Sequence, residues 1–363
     1  MDKNIPKYKT IKKFLLNQIK SNKFKQDEKL PSEKELMNRF SVSRITVRKA
    51  LDELAVEGYI YRLQGIGAFV KRSIAKIDNS SKLIGVLVTP ISDFLSVGIL
   101  KGIEKNLDRL GYHPVVQFST GDVNDEANKL KKLKKLGVQG FIIMPHETLL
   151  GNNVIRNLTK SEVPIVFVDR TIDGLEGYSV ESDNKKGGYD LTTHLVKKHG
   201  CRKIAFVTWE GLNVSSVRNR YMGALQSAKQ NNAQVELVVS SKGRLQELTT
   251  KLVAYDAVFA CTDLIAVELA VNLEVAGVKV PDDLKIVGFD DRPFSRLAYP
   301  SLTTARQFPE RIGEKASSIL VSIIKGNHIS KKEVTVPVEI VIRKSCGCIH
   351  NVDRSIKNVW GGV

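Results

Sequence analysis

The spacing of apolar residues changes along this chain at a polar stretch, residues 73–82, and this change limits the possible folds more than any other feature. Before the stretch, apolar residues recur every three or four positions in short helical segments that end in a hairpin pattern. From Leu83 onward, short apolar runs alternate with helical segments, which is typical of parallel sheets with crossover helices. The sequence therefore predicts an α/β protein with a small N-terminal domain and a larger parallel-sheet domain.

The first 72 residues have the element order of a winged helix-turn-helix. After a first amphipathic helix, a second helix opens at Ser32, with Glu35 completing a capping box. A third helix opens near Ser43 and ends near Gly58, a typical left-handed stop. Residues 59–72 then have the pattern of two strands around a glycine turn. Helix, helix, tight turn, helix and hairpin together predict this fold.

The second domain contains eight strand-like runs with helical stretches between them. The runs lie at residues 83–89, 114–118, 140–144, 164–168, 203–208, 235–239, 256–260 and 284–289. Eight strands suit two doubly wound lobes better than one sheet, and the ligand site is expected in the cleft at the carboxyl ends of the strands. The predicted boundaries are 1–72 for the first domain, 73–82 for a linker, 83–345 for the two-lobed domain and 346–363 for a tail.

The positive charge is concentrated in the N-terminal domain. The chain has a net charge of +17, and residues 1–76 hold 18 Lys and Arg against 8 Asp and Glu, a net charge of +10. Clustered basic charge indicates a polyanionic partner, nucleic acid before a membrane surface. The rest of the chain is close to charge balance, which suits a pocket for a neutral ligand.

The third helix has the pattern of a DNA-recognition helix. One face is expected to be buried through Val47, Ala50, Leu51 and Leu54, and the opposite face carries Arg44, Ile45, Arg48, Lys49 and Asp52. An arginine in the N-terminal half of such a helix can donate two hydrogen bonds to guanine O6 and N7. Two solvated arginines are the alternative interpretation. Gly65 and Gly67 either let the hairpin tip approach DNA closely or form an ordinary tight turn.

Residues 30–70, from LPSEKEL to GAFV, resemble the DNA-binding domain of GntR-type bacterial regulators, and the likeness covers about residues 6–71. The resemblance implies contacts with bases or phosphates from the third helix, positioning of the second helix by its first residues, and contacts from the hairpin. In the third helix these residues are Arg44, Ile45, Thr46 and Arg48. At the start of the second helix they are Ser32 and Glu33, and in the hairpin they are Gln64, Gly65 and Gly67. Ala68 departs from the threonine common in that family. Lys7 is a further phosphate candidate, with a solvated lysine as the alternative.

The larger domain resembles the effector-binding domain of LacI/GalR-type repressors, which is similar to periplasmic sugar-binding proteins. The likeness rests on segments such as RNRYMGAL at 218–225 and VPDDLKIVGFDDRPFSRLAYPSLTTARQ at 280–307. It implies that Arg220 and Asp290 contact the effector. A GntR-type domain joined to a LacI-type domain resembles the arabinose-responsive repressors of sugar-utilisation operons, and it implies L-arabinose as the effector.

Residue chemistry at the predicted strand ends independently suits a sugar. Carboxylates and arginines hold vicinal hydroxyls, and aromatic rings hold apolar C–H faces. The candidates are Asp93, Phe94, Asp169, Arg170, Trp209, Arg220, Thr262 and Asp290. Trp209 packs in the core in the alternative interpretation. Thr262 stands where the family commonly has an amide, so the effector's identity stays open. Asp183 either lines the cleft or caps the following helix.

The sequence lacks the motifs that are typical of other classes of protein. No GxxxxGK[ST], GxSxG or strand-following GxGxxG occurs, so an enzyme is not expected. His194 and His199 are five apart, off the spacing of a shared ligand face, and Cys346 and Cys348 form a lone CxC, so neither a metal site nor a cofactor is expected. Four cysteines are too few for a disulfide framework. Without a signal-peptide pattern or a run of about 20 apolar residues, we expect a cytoplasmic protein and no membrane contact.

The sequence thus predicts a homodimeric transcriptional repressor that binds palindromic double-stranded operator DNA and is released by a monosaccharide, with L-arabinose implied. The same architecture with another sugar, or with a nucleoside or purine effector, is the alternative. A binding protein for transported sugars is disfavoured because the DNA-binding domain would be superfluous.

Overall fold

The computed structural model describes residues 6–20, 23–24, 27–56, 59–63, 66–70, 82–89, 94–145, 153–159, 163–175, 177–209 and 211–348. The chain divides into two compact units, Met1–Ser80 and Ser81–Val363. The predicted linker, apart from Lys82, lies outside the described residues. Among the described residues, no helix combines the length and apolar character that are needed to span a bilayer.

The N-terminal unit is a winged helix-turn-helix, as predicted. Its helices are α1 (Lys7–Lys20), α2 (Glu33–Phe40) and α3 (Arg44–Val56), and its antiparallel hairpin consists of β1 (Ile60–Leu63) and β2 (Gly67–Val70). Ile11, Leu15 and Leu36 pack with the buried face of α3 in one apolar core. The predicted stripe of α3 is buried, and the five predicted outward positions are exposed. The periodicity of apolar residues therefore determines which face of α3 is buried and which is exposed.

The predicted capping box starts α2. Ser32 Oγ accepts a hydrogen bond from the Glu35 backbone N–H at 3.2 Å, and Glu35 Oε2 accepts one from the Ser32 N–H at 2.6 Å. Ser41, at φ 47°, ends the helix in the left-handed region. These caps satisfy helix-end groups and fix the tight turn that leads into α3.

The C-terminal unit contains two six-stranded sheets, one in each lobe. The first lobe has strand order β13-β7-β6-β5-β3-β4, and the second has β14-β12-β11-β10-β8-β9. All neighbouring pairs are parallel except β12 with β14. The strands are β3 (Leu83–Val88), β4 (His113–Phe118), β5 (Gly140–Ile143), β6 (Ile165–Val168), β7 (Tyr178–Ser182), β8 (Lys203–Thr208), β9 (Gln234–Val239), β10 (Ala257–Ala260), β11 (Lys285–Asp290), β12 (Thr303–Arg306), β13 (Glu333–Val336) and β14 (Glu339–Val341).

Helices cover the sheets of both lobes. They are α4 (Phe94–Leu110), α5 (Val123–Leu136), α6 (Asn153–Thr159), α7 (Asn184–His199), α8 (Ser215–Gln230), α9 (Thr249–Leu252), α10 (Asp263–Val275) and α11 (Pro309–Ile324). Helix α11 packs on α4 and on the first sheet, whereas α7 packs on α8 and the second sheet. The two-lobed, doubly wound architecture predicted from the sequence is confirmed.

The eight predicted strands are present, and β7, β12, β13 and β14 were missed. These strands are short and polar, with sequences YSVES, TTAR, EVTV and EIV. In β12 the buried Thr303 hydroxyl donates to the Arg343 carbonyl at 3.0 Å, and the buried Thr304 hydroxyl donates to Asp263 at 2.5 Å. Interior strand positions are thus filled by paired hydroxyls, which leave no apolar run to detect.

The chain passes between the lobes three times, at Asp183, at residues 307–308 and at residues 337–338. Asp183 caps α7, since its side chain accepts a hydrogen bond from the Lys186 N–H at 3.0 Å. Gln307 is buried at the second crossing, 2.6 Å from the Ser182 hydroxyl. Three parallel connections of this kind allow the lobes to rotate about a shared hinge.

The C-terminal unit extends further than the predicted boundary at 345. Ser345 and Cys346 are buried in a short 3₁₀ turn, and Ser345 Oγ donates to the Ile286 carbonyl at 2.6 Å. A tail that begins at 346 is therefore wrong, because Cys346 packs in the core of the second lobe. The remaining tail, residues 349–363, lies outside the described residues.

Candidate functional site

A cavity of about 290 Å³ lies between the lobes of the C-terminal unit, at the carboxyl ends of both sheets. Six of the eight predicted effector residues line it: Asp169, Arg170, Trp209, Arg220, Thr262 and Asp290. Each follows or ends a strand or, in the case of Arg220, lies on the first half of α8. The rule that ligands bind at the carboxyl ends of parallel strands thus places these residues together.

Arg220 is the most enclosed cation of the cavity, at 3 % exposure. Its Nε donates to Asn184 Oδ1 at 2.8 Å, and its NH1 donates to the Cys261 carbonyl at 2.6 Å and lies 3.6 Å from Asp290 Oδ1. The guanidinium carbon lies 3.8 Å from the centroid of the Phe289 ring. A buried arginine held on three sides presents its remaining N–H groups in one fixed direction.

Helix packing brings Arg220 to this position. A Cβ on Gly188 of α7 would lie 2.1 Å from the Arg220 carbonyl oxygen, and one on Gly223 would lie 2.0 Å from the Lys185 carbonyl oxygen. Only glycine permits the two backbones to approach so closely. The close contact of α7 and α8 therefore places the Arg220 side chain within reach of Asn184.

Asp290 is the buried carboxylate opposite Arg220, at 8 % exposure. It accepts hydrogen bonds from Arg292 Nε at 3.0 Å and from Gln307 Nε2 at 2.7 Å. Its backbone has φ 129°, and Asp291 follows at φ 56°. Such conformations are unfavourable for residues other than glycine, and they concentrate at binding sites. Gln307 also links this carboxylate to a crossing between the lobes.

Asp169 and Arg170 supply the wall from the first lobe. Asp169 is buried with φ 64°, and its Oδ2 accepts a hydrogen bond from Arg170 Nε at 3.1 Å. Arg170 is paired with this carboxylate and lines the same cavity. Each lobe thus contributes a carboxylate with an adjacent arginine, the combination that binds vicinal hydroxyls.

Trp209 lines the cavity while part of its ring packs on the core of the second lobe. Its Nε1 is buried and has no hydrogen-bond partner among the described residues. A buried indole N–H usually has an acceptor, so a ligand oxygen is a suitable partner here. Trp209 thus packs on the core and also lines the cavity, so its contact with a ligand stays a prediction.

Thr262 lines the cavity and also caps α10, with Oγ1 accepting from the Ile265 N–H at 3.5 Å. The neighbouring Asp263 is fully buried, and it accepts hydrogen bonds from the Arg292 N–H at 2.9 Å and the Ser295 hydroxyl at 2.5 Å. Burial, together with the Asp290 charge, raises the pKa of Asp263 to about 6. Asp263 therefore holds the loop after β11 in place and does not face the ligand space.

Two predicted effector residues are not in the cavity as described. Phe94 is the first residue of α4 and is exposed, whereas its neighbour Leu95 lines the cavity, so the expectation for Phe94 is wrong by one position. Asp93 lies outside the described residues. The sequence analysis missed the polar lining residues Ser216, Lys242 and Arg292. Arg292 stands in the strand-end segment DDR and was detectable there.

The N-terminal unit presents its basic side chains on the exposed face of α3. Arg44 and Arg48 are exposed, and Ile45 is 80 % exposed beside them. Glu33 lies against both, 2.7 Å from Arg44 Nε and 3.9 Å from Arg48 Nε, and Arg62 NH2 is 2.7 Å away from it. The Arg44 hydrogen bond lowers the pKa of Glu33 despite partial burial. Glu33 therefore stays ionised, and its negative charge is paired with these three arginines.

The other predicted DNA-contact residues lie at the starts of helices and in the hairpin. Ser32 caps α2, Thr46 Oγ1 lies 2.9 Å from Ser43 Oγ at the start of α3, and Lys7 is exposed at the start of α1. Gly67 has φ 138°, a backbone conformation that strains any residue with a side chain, so glycine is favoured at this position. Gln64 and Gly65 lie outside the described residues.

Four histidine and cysteine side chains meet in the second lobe, contrary to the spacing argument. His194, His199, Cys346 and Cys348 have their ligand atoms within 4.8 Å of one another. The expectation that the two histidines share no ligand face is wrong, because both rings extend past the side of α7 and converge near its end, with centroids 4.9 Å apart. Tertiary folding supplies the second pair that the CxC lacks in sequence.

Comparison with known proteins agrees with both units. Residues 7–70 match the model of bacterial regulatory proteins of the gntR family, and residues 192–346 match that of a periplasmic binding protein-like domain. This pairing defines a transcription regulator rather than an enzyme. The arabinose metabolism transcriptional repressor of Geobacillus stearothermophilus is 31 % identical over 95 % of this chain and 98 % of that protein. The chain therefore belongs to the same family of transcriptional repressors, which join a GntR-type DNA-binding domain to a LacI-type domain.

Solved structures resemble the C-terminal unit. A LacI-family transcriptional regulator of Enterococcus faecium with bound ribose aligns with a TM-score of 0.62 and 26 % identity, covering 72 % of this chain and 98 % of that chain. A periplasmic binding protein/LacI transcriptional regulator of Alkaliphilus metalliredigens, complexed with D-xylulofuranose, aligns with a TM-score of 0.62 and 25 % identity, covering 73 % and 99 %. The two-lobed fold is thus shared with sugar-bound regulators.

Proposed function

We propose that this repressor binds palindromic operator DNA as a homodimer and is released by a five-carbon sugar, L-arabinose. The observation that carries the proposal is the cavity between the lobes, in which each lobe places a buried carboxylate beside an arginine. The name of the Geobacillus relative points to arabinose, and the two sugar-bound neighbours hold five-carbon sugars. Both buried carboxylates are already paired with arginines, so they require no cationic ligand.

The cavity suits a monosaccharide in size and chemistry. Its volume of about 290 Å³ lies at the lower limit of pockets for drug-sized ligands, which span about 300–1,000 Å³. Asp290 accepts hydrogen bonds from hydroxyls, and Arg220 donates them. Trp209 offers an apolar ring for the C–H face of a sugar and an N–H for one oxygen.

The exposed face of α3 suits the major groove of DNA. Arg44 and Arg48 lie one helical turn apart, and either can pair with a guanine edge. Ile45 between them offers an apolar contact for a thymine methyl group. A homodimer presents two such helices, and its two-fold symmetry requires a palindromic site.

Release from the operator requires that the sugar binds the DNA-incompetent state more tightly than the DNA-binding state. A sugar with equal affinity for both states would not change their populations. A sugar that contacts Asp169 in one lobe and Arg220 in the other favours one arrangement of the lobes. To move the population from about 1 % to about 99 % released, the affinities for the two states must differ about 10⁴-fold. The three crossings, with Gln307 bonded to Asp290, connect pocket occupancy to the lobe arrangement.

Titration calorimetry of the full chain tests the effector. L-arabinose, D-ribose, D-xylose and D-galactose form the sugar panel, and guanosine and hypoxanthine form the competing panel. We expect L-arabinose to bind most tightly, and Asp290→Asn to abolish its heat of binding while the exposed Asp282→Asn control retains it. Binding of a purine and of no sugar contradicts the proposed effector and favours the purine alternative.

Selection from a random DNA pool, followed by fluorescence anisotropy, tests the operator. We expect a palindromic consensus, bound by two chains, and release when L-arabinose is added. A non-palindromic consensus bound by one chain contradicts the dimer. Unchanged anisotropy at a saturating concentration of L-arabinose contradicts induction even if the sugar binds.

A further inference from the structure

The cluster of His194, His199, Cys346 and Cys348, named here the His–Cys cluster, lies in the second lobe, and the effector cavity uses none of its residues. The two histidines belong to the last turns of α7, and the two cysteines flank Gly347 at the end of the 3₁₀ turn. Gly347 has φ 90°, a left-handed conformation that turns the chain between the cysteines. Segments about 150 residues apart in the chain thus meet at one point.

The interatomic distances fit the edges of a tetrahedron around one metal ion. His194 Nε2 lies 3.2 Å from His199 Nε2, 3.4 Å from Cys346 Sγ and 3.7 Å from Cys348 Sγ. Cys348 Sγ lies 3.4 Å from His199 Nε2. Zinc–nitrogen bonds of about 2.0–2.1 Å and zinc–sulfur bonds of about 2.3 Å give tetrahedral edges of about 3.3 Å for N–N and about 3.6 Å for N–S. Four of the six distances between the ligand atoms therefore match the edges of a zinc site, and all six are within 4.8 Å.

The His–Cys cluster is partly enclosed, with His194, His199 and Cys348 half-buried. Cys346 is fully buried, and Thr303 Oγ1, whose hydroxyl donates to the Arg343 carbonyl, lies 3.1 Å from its Sγ. Both cysteines are free thiols. All four ligand atoms are thus available to the centre of the cluster.

We propose that the His–Cys cluster binds one zinc ion as a structural site. Two sulfur and two nitrogen ligands select zinc over magnesium and calcium, which prefer oxygen. A Rieske-type iron–sulfur centre also has two cysteines and two histidines, but it divides them between two irons, whereas these four ligand atoms converge on one point. Four protein ligands fill the coordination shell and leave no open position for water or a substrate, so the site is structural and not catalytic.

The ion fastens the end of the C-terminal unit to α7. Residues 344–348 follow β14, the strand reached by the third crossing, and α7 follows the first crossing at Asp183. Zinc at the His–Cys cluster therefore ties together two segments of the second lobe that enter it from separate crossings. We expect the ion to stabilise this lobe without changing the chemistry of the sugar cavity.

Metal analysis of the full chain, purified without chelator or nickel resin, tests the site. We expect about one zinc per chain, and cobalt substitution should give the visible bands of a tetrahedral ion with sulfur-to-metal charge transfer. Cys348→Ser and His199→Gln should each lose the zinc and the charge-transfer band. Where some zinc binding remains, its affinity should fall by more than about 10–100-fold, which is the usual loss when a residue outside the coordination shell is changed. The matched controls are Cys201→Ala, a buried cysteine outside the cluster, and His113→Gln, an exposed histidine; both should retain one zinc.

Thermal unfolding with and without a chelator gives a second measurement that does not depend on metal analysis. Chelation should lower the midpoint of the wild type and of both controls, and it should leave that of Cys348→Ser unchanged. Zinc that remains stoichiometric in both ligand variants overturns the proposal. So does a wild type that shows no zinc, no cobalt spectrum and no effect of chelator, or a disulfide between Cys346 and Cys348 in the freshly purified protein.

Discussion

The two units place arginines against carboxylates in opposite environments. In the N-terminal unit, Glu33 lies against Arg44, whose side chain is 70 % exposed. In the C-terminal unit, Asp290 lies against Arg220, of which only 3 % is exposed. An exposed pair contributes about 0–1 kcal/mol and exchanges partners readily, whereas removal of one partner from a buried pair costs about 3–5 kcal/mol. The first arrangement leaves an arginine ready for another anion, and the second fixes a pocket in advance.

This contrast matches the ligands that each unit is proposed to bind. DNA is a polyanion that attracts exposed cations over a distance and replaces their carboxylate partner. A neutral sugar provides no such attraction, and its binding depends on fixed donors and acceptors in a site shielded from water. Four substitutions probe the difference, from the largest expected effect to the smallest.

Arg220→Ala should weaken sugar binding by at least about 100-fold, because it leaves Asp290 buried with one charge fewer to balance it. Titration calorimetry measures the loss. Arg220→Lys keeps the charge but lacks the planar fork, so it should fold and still bind poorly. The exposed Arg296→Ala is the control and should bind as the wild type does. Normal sugar affinity in Arg220→Lys would show that the fork is dispensable.

Asp263 should make the stability of the C-terminal unit depend on pH. Its pKa is raised to about 6 in the folded protein, whereas an ordinary aspartate has a pKa of about 3.9. Between these two pH values, the folded protein keeps a proton that the unfolded chain loses. Stability should therefore decrease by up to about 3 kcal/mol as the pH rises from about 4 to about 6, and then stay level. Asp263→Asn should remove this decrease, whereas the exposed Asp282→Asn should not.

Urea unfolding of the wild type and both variants at several pH values measures the difference. A constant gap in unfolding free energy between the wild type and Asp263→Asn across pH 4–6 would contradict the raised pKa of Asp263.

Arg44→Ala should reduce the preference for the selected operator over unrelated DNA by about 1–3 kcal/mol, because one bidentate base contact is lost. Anisotropy competition with unrelated DNA measures the ratio of affinities. Lys34→Ala, an exposed cation on α2, is the control and should keep the ratio. An unchanged ratio in Arg44→Ala would remove Arg44 from base recognition.

Lys7→Ala should weaken operator and unrelated DNA alike, and the logarithmic salt dependence of binding should decrease in slope by about 0.9, the value for one phosphate contact. Anisotropy titrations at several salt concentrations measure the slope. An unchanged slope would favour a solvated lysine at this position.

Much of the fold could be predicted from local patterns. The buried stripe of α3, the capping box at Ser32 and the eight apolar strands depend on residues that are close in sequence. Strands β7 and β12 could not be predicted, because their interior positions hold polar residues whose partners, such as Arg343 and Asp263 for β12, lie tens of residues away. Phe94 was misplaced by one position because periodicity does not locate the first residue of a helix well.

For this chain, the sequence alone predicted two domains, the exposed basic face of the third helix and strand-end residues that line a cavity, because those features follow from spacing and charge along the chain. Tertiary structure was needed for the partners of Arg220 and Asp290 and for the His–Cys cluster. His194 and Cys346 are 152 residues apart, and no local pattern brings them within 3.4 Å. Contacts of this kind form only when helices and strands pack, since packing, and not spacing, determines which distant side chains meet.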